Sequence, residues 1–424
     1  LFLKLINSTL KITLYLRLAL FQFLQYFIWG SWAVTTGTYL LKSQHFSGRE
    51  VGLVYGTTAI AAMVSPFWAG RLADQYFRSE RILAVLHFVG GLLMFTLTTL
   101  HHFASFYPVM LLYAICYMPT FALSTALTFH NVPLPARDYP RLRIWGTMGW
   151  IATGLCVGGL ELETTVLPLQ LSASTSIIQS LYVLTLPATY PPGKKEKPSL
   201  WKTGSLLIRD RSFMVLLITL TLICIPNAFY YSFVNAYLKD QGFSNAAAMM
   251  SIGQATEVVF VLLLPYARRF FGLKIVIILG ILAWGIRYLL LSWGGIELPT
   301  PVWIGLALHG LAWSFTALAG QIYIDEKVPV SMRSTAQGFI ALIISGVGAF
   351  IGSLIAGEVV NWQVVGDKIL WQYVWLVPGG VGLFTAVFFT VFFRNSSTIP
   401  KSFNAIKLDT LGFSLNREEG NERN

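Results

Sequence analysis

The chain is poor in charge. Only 12% of its 424 residues are Asp, Glu, Lys or Arg, about half the roughly 25% of an ordinary soluble domain. Hydrophobic residues make up 55%, and mean hydropathy is +0.63. An integral membrane protein is implied. Cysteine is scarce: Cys116, Cys156 and Cys224 all fall inside apolar segments, so there is no disulfide framework or Cys-based metal spacing. His45, His101, His102 and His130 lie in or near loops, too scattered for a metal site. A Gly-rich phosphate loop, a long soluble domain and a convergent nucleophile–base set are all missing. Nothing in the residues points to an enzyme, a cofactor or an ATP-driven pump.

What is present is a succession of apolar runs of about 20 residues, each long enough to cross about 30 Å of hydrocarbon as a helix. Backbone groups in lipid must be satisfied internally, and the runs do not alternate as barrel strands do. Hydropathy and turn punctuation predict twelve helices. They fall near 16–40, 50–70, 82–100, 107–129, 142–161, 165–187, 213–237, 246–266, 273–293, 300–323, 333–358 and 370–393. The first apolar stretch carries no cleavage-site pattern and reads as an amphipathic lead-in rather than a signal peptide. The stretch 188–212 is rich in Pro and Lys and reads as a linker. The expected organisation is therefore a six-helix bundle over 1–187, a cytoplasmic linker over 188–212, a second six-helix bundle over 213–394 and a polar cytoplasmic tail over 395–424.

Charge placement gives the expected topology. Of the 30 Lys and Arg, Lys42, Arg49, Lys239 and Lys368 fall on one side and Arg287 falls within a span; the rest lie on the linker side. By the positive-inside rule both termini and the linker are cytoplasmic, in a cytoplasmic (inner) membrane. The net charge of +11 is thus a topology signal facing the lipid bilayer and does not point to nucleic acid. Two six-helix halves around a basic loop suit a transporter built from parallel repeats, functional as a monomer.

Acids are rarest inside the apolar segments, which makes Glu257 conspicuous. An ionised carboxylate at bilayer depth costs about 2.5–3.5 kcal/mol even on the lenient insertion scale. Such a charge is expected to face a wet cavity, a partner or a substrate. Helical spacing puts further polar and aromatic groups on single faces. Arg143, Thr147 and Trp150 share one, and Gln254 and Glu257 another; His309 and Trp313 share a third, with Ser314 beside them. Asn227, Tyr231 and Asn235 follow Pro226, and Gln22, Gln25, Trp29 and Trp32 lie on the first span. The Thr120, Ser124 and Thr128 stripe reads more readily as contact between helices. Arg287 is open to structural pairing or a substrate role. This inventory suits an uncharged polar ligand with a planar ring and hydroxyls; a sugar carrier would use much the same one.

The loop GRLADQYFRSER after the second span resembles the signature of the major facilitator superfamily, with Gly70, Asp74, Arg78 and Arg81 at the matching places. A cytoplasmic gate is implied there, Gly70 allowing tight packing and Asp74 receiving basic partners. Further strings carry a closer resemblance: FLQYFIWGSW, YMPTFAL, RIWGTMGW, SIGQATE, AWGIRY and IDEKVPVSMRSTAQGF. With these the chain, over roughly 17–394, resembles the nucleoside:proton symporter family of that superfamily. The resemblance implies an all-α membrane protein of twelve transmembrane helices in two pseudo-symmetric bundles, the major facilitator fold. It also implies proton-coupled nucleoside uptake by alternating access. The family's site residues fall at Arg143, Thr147, Trp150, Gln254 and Glu257. His309, Trp313 and Ser314 stand where the family has Tyr, an aromatic and Asp; Ala228 and Tyr231 stand where it has Gln and Asn. The expected substrate site is therefore Arg143, Thr147, Trp150, Tyr231, Gln254, Glu257, His309 and Trp313. Glu257 is expected to carry the proton, with His309 as a substitute for the missing Asp. The alternatives are another polar solute such as a sugar, or a membrane sensor that binds without moving its ligand.

Overall fold

The computed structural model describes residues 2–191, 193, 199–329 and 332–394; the tail from 395 and the lysines 194, 195 and 197 of the linker lie outside them. Among the described residues, eight helices are long and apolar enough to cross a membrane, or nine if Gly48–Ser65 and Phe67–Gln75, bent by 43°, are one span. The long helix Ala246–Trp293 is two spans, because Gly272 breaks it with φ 75° and ψ 160°. That is a backbone conformation open essentially to glycine alone. Pro135–Gly159, rich in Gly, is less apolar than these eight, and Leu167–Val183 has 17 residues, yet both pack along the first span. They are the fifth and sixth of twelve.

The remaining spans are Ile12–Lys42, Gly48–Gln75, Ser79–Leu97, Phe103–Asn131, Arg211–Asp240, Pro299–Lys327, Arg333–Trp362 and Trp371–Phe392. Local chemistry sets several boundaries. Ser47 and Glu50 form a reciprocal capping box on the second span. Asp210 accepts from the Ser212 and Phe213 amides at the start of the seventh. The fifth span begins at Pro135, well before the expected 142. Pro at the first helical position loses no hydrogen bond, and the Asp138 carboxylate accepts from the Leu134 amide. The linker also departs from expectation. Leu200–Arg209 is a helix, capped by the Ser199 hydroxyl, and Gly204 seats it against Phe339 of the eleventh span.

Within the first six helices, the first packs on the fifth and sixth, the third on the fourth and sixth, and the second on the fourth. Among the last six, the ninth packs on the twelfth, and the seventh on the eleventh and twelfth. Three principal contacts join the two sets, second on eleventh, fifth on eighth and first on seventh, with a smaller one between second and seventh. The second–eleventh and fifth–eighth contacts exchange under a pseudo-two-fold relating span n to span n + 6, as internal repeats would produce.

The joins are concentrated at the end of the molecule away from the linker, the far end. There Gly52 lies against Gly357 and Ser353, so close that a Cβ on Gly52 would sit 2.5 Å from the Ser353 carbonyl oxygen. Thr38 donates to Asn235 Oδ1 at 2.5 Å. Ion pairs Arg49–Glu358 and Lys42–Asp240 bridge the halves, as do the contacts of Lys239 with Glu161 and Glu163. At the linker end the ion pairs Arg137–Asp138, Arg268–Glu326 and Arg333–Asp325 each stay within one half.

Candidate functional site

Between the halves lies a cavity of about 380 Å³. Its wall is mostly apolar and aromatic. Trp29, Trp32, Tyr55, Met118 and Phe121 come from the first half; Asn227, Tyr231, Trp313, Gln321, Gln337 and Ser353 come from the second. The far-end contacts close it on one side, and it runs toward the linker end at Gln321 and Gln337.

The aromatic lining is ordered ring on ring. Trp29 stacks on Tyr117 at 5.8 Å and meets Phe121 edge-on at 5.4 Å. Trp150 meets Tyr231 edge-on at 6.1 Å across the dividing surface and lies 6.4 Å from Trp29. Such rings present flat faces at little conformational cost. Among the described residues, three polar groups of this lining are shielded from solvent and have no hydrogen-bond partner: Asn227 Oδ1, Ser232 Oγ and Trp32 Nε1, of which Asn227 Oδ1 can only accept. A buried acceptor without a donor is costly, so this carbonyl suits a ligand N–H or O–H.

The sequence-selected residues separate into groups. Tyr231 and Trp313 line the cavity. Trp150 stands one layer back, behind Tyr231. Arg143, Thr147 and Glu257 are half-buried on the fifth and eighth spans, which pack across the dividing surface. The Arg143 guanidinium lies 3.9 Å over the Tyr26 ring. No ion pair within 4.0 Å engages Glu257 among the described residues. Its backbone is held by the tenth span, with Gly310 against the Glu257 amide and the Ser314 hydroxyl donating to the Glu257 carbonyl at 3.5 Å. Gln254 is buried beside Tyr230.

His309 departs from expectation. It is 1% exposed, stacked on Tyr230 at 4.2 Å and edge-on to Trp284. Its Nδ1 lies 2.8 Å from Nη1 of Arg287, which is itself fully buried. A guanidinium only donates, so Nδ1 is the acceptor and carries no proton. His309 is thus removed from the cavity and committed to Arg287. Asn235 also departs: it is fully buried at the far-end join with Thr38. Gln22 and Gln25 donate to Thr128 and Thr120 at 2.8 Å and Gln25 also meets His87, so these groups bind the first, third and fourth spans together.

Among the described residues, the loop after the second span reaches the start of the linker. A Cβ on Gly70 would meet nothing within 4 Å, so the tight packing expected there is absent in this conformation. The Asp74 carbonyl accepts from the Gly193 amide. Arg78 donates to the Tyr190 hydroxyl at 2.6 Å and lies over its ring. Arg81 is exposed, and neighbouring Glu80 accepts from the Thr189 amide. The motif therefore anchors the start of the linker. Gln321, Gln337 and Tyr55 escaped sequence selection; nothing in helical spacing alone marks them as cavity-facing.

The nucleoside H+ symporter family profile matches residues 12–398. The chain is 36% identical over 422 residues to the transporter YegT of Escherichia coli, covering 95% of this chain and 98% of that one. It is 32% identical over 399 residues to the xanthosine permease of E. coli, covering 89% and 96%. It superposes on the crystal structure of the nucleoside transporter NupG with a TM-score of 0.83 at 27% identity, covering 90% of this chain and all of that one.

Proposed function

We infer the function from one premise: the chain belongs to the nucleoside H+ symporter family and has that family's twelve-helix major facilitator fold. It is a secondary active transporter, not an enzyme, and takes up nucleosides together with protons. The observation that carries this reading is the cavity between the halves. It is lined by Trp29, Tyr231 and Trp313 and offers the unpartnered Asn227 carbonyl, and beside it the eighth span that carries Glu257 packs on the fifth span that carries Arg143.

In this reading Tyr231, Trp313 and Trp29 hold the flat base, and Asn227 accepts from an amine or hydroxyl of the ligand. Arg143, Thr147, Trp150, Gln254 and Glu257 line the path by which the halves separate on the other side of Tyr231. Glu257 carries the proton. Neutralising it removes most of the cost of enclosing a carboxylate in a dry interface, so proton and ligand together favour the occluded state. Binding linkage makes the coupling reciprocal. His309 has no part in this, because Arg287 engages its free nitrogen.

The loop charge bias puts the linker and both termini in the cytoplasm and the protein in the cytoplasmic membrane. The far end is then the outside, and the conformation is closed outward. The first and last six helices are the two moving bodies, joined by the stretch 188–212. The Gly70, Asp74, Arg78 and Arg81 loop contributes to the gate on the inner side when that side closes. The protein works as a monomer in the bilayer.

Counterflow with purified protein in liposomes tests the reading. Labelled nucleoside should exchange, and an inward proton gradient should drive its accumulation. Exchange of a sugar but of no nucleoside would overturn the substrate; binding without exchange would make the protein a sensor.

A further inference from the structure

We propose that Glu163 is a second proton-binding carboxylate of the transport cycle, whose protonation from the far side favours closure of the far-end gate. Glu163 lies in the loop between the fifth and sixth spans, outside the membrane-crossing helices, and belongs to the first half. Its side chain is 0% exposed. Oε1 accepts from the Ala247 amide at 3.1 Å, in the first turn of the eighth span and thus in the other half. Oε2 has no hydrogen-bond partner and lies 3.8 Å from Lys239 Nζ, on the seventh span. A carboxylate from one half therefore caps a helix of the other, at the surface that must part if the cavity is to open outward.

The charged groups around it are few. Lys239 is shared with Glu161, at 3.9 Å, and donates to the Ser244 carbonyl. Lys42 and Asp240, on the first and seventh spans, are paired with each other. Immediately below, the fifth and eighth spans touch through Gly154 with Ser251 and Gly158 with Ala248. Closing the gate thus strips water from Glu163, and one cation and two backbone amides, those of Ala247 and of Glu163 itself, compensate in part. Opening the gate returns the carboxylate to solvent.

Burial pushes the Glu163 carboxyl up, with a smaller push from the charge of Glu161, against the opposing pull of the Ala247 amide, its own amide and Lys239. The sign follows from linkage. The carboxyl binds its proton more tightly in the closed state than in the solvated open state, so closing takes up a proton. Acidification favours closure, fully below the open-state value, and the advantage fades as pH rises through the closed-state value. A proton arriving from outside then reinforces the step that encloses substrate. Oε2, free of hydrogen bonds, is the oxygen that receives it.

The proposal rests on the alternating-access reading. Its test is a distance between far-end loops. Spin labels at His102→Cys in the first half and Ile296→Cys in the second, both exposed, are placed on an otherwise cysteine-free chain in lipid nanodiscs. In a Glu257→Gln background, the short-distance population should rise severalfold from about pH 8 to about pH 5. Adding Glu163→Gln, which keeps the acceptor for Ala247, should fix that population high at every pH. Glu161→Gln should leave the response in place. A response that survives Glu163→Gln, vanishes in Glu257→Gln alone, or is lost equally in Glu161→Gln overturns the proposal. Failure of nucleoside flux alongside an intact Glu163-dependent response sinks the transport reading alone. Flux with a pH response indifferent to Glu163 sinks only the gate.

Discussion

Arg287 Nη1 and His309 Nδ1 lie 2.8 Å apart on the ninth and tenth spans, both side chains sealed from solvent. The guanidinium is packed among the rings of Tyr230, Trp284 and Tyr288 at 4.5–5.2 Å, and its Nε and Nη2 have no partner. The rings and His309 together make this buried cation tolerable. Removing the one acceptor leaves a buried charge uncompensated, which costs about 3 kcal/mol. His309→Ala should therefore lower the thermal unfolding midpoint clearly, while His309→Gln, which retains an acceptor, keeps most of the stability. His309→Gln should also keep proton-driven accumulation. If accumulation disappears in a folded His309→Gln protein that still exchanges nucleoside, His309 is a proton carrier after all.

Glu257 is held by its backbone against Gly310 and Ser314, on a span that packs against the fifth span of the other half. Glu257→Gln should abolish accumulation driven by a proton gradient and preserve counterflow at least in part, because the amide keeps the shape and loses the titration. Uptake in proteoliposomes with and without an imposed pH step reads this directly. Accumulation at the wild-type level in that variant removes Glu257 from coupling.

Asn227 presents an acceptor to the cavity that no protein group satisfies. Replacing it by Ala should weaken nucleoside binding by about tenfold, the usual worth of a buried hydrogen bond of roughly 1.4 kcal/mol. Ligand-induced thermal shifts across nucleosides, free bases and sugars would measure it. An equal loss for every compound would mean that Asn227 shapes the cavity; a loss confined to compounds sharing one donor would identify the group it reads.

The second and eleventh spans approach at Gly52 and Gly357 without room for a side chain. Gly52→Val should therefore hold the far end open. Ligand should still bind from outside, whereas counterflow and net uptake should both fall to background. Normal counterflow in that variant would show that the far-end contact is dispensable for the cycle.

Much of the architecture is legible in the amino-acid sequence. Apolar runs of membrane length, punctuated by Gly, Pro and charge, are local signals, and they placed the twelve helices within a few residues, apart from the early start at Pro135. The linker helix Leu200–Arg209 was missed because Pro and Lys nearby dominate the composition of that stretch. Of the eight expected substrate residues, helical spacing brought Tyr231 and Trp313 to the cavity wall, whereas Gln321 and Gln337 line it and were passed over. Spacing tells which residues share a face; it does not tell which neighbour that face meets.

The amino-acid order alone determined the membrane class, the succession of spans and the rarity of acids within them, because each is a property of contiguous residues against a hydrocarbon slab. Tertiary structure decided that His309 serves Arg287, that Asn235 seals the far end and that Glu163 caps a helix of the opposite half. Those roles depend on partners up to about two hundred positions away, brought together by packing between the halves, and no local pattern encodes that distance.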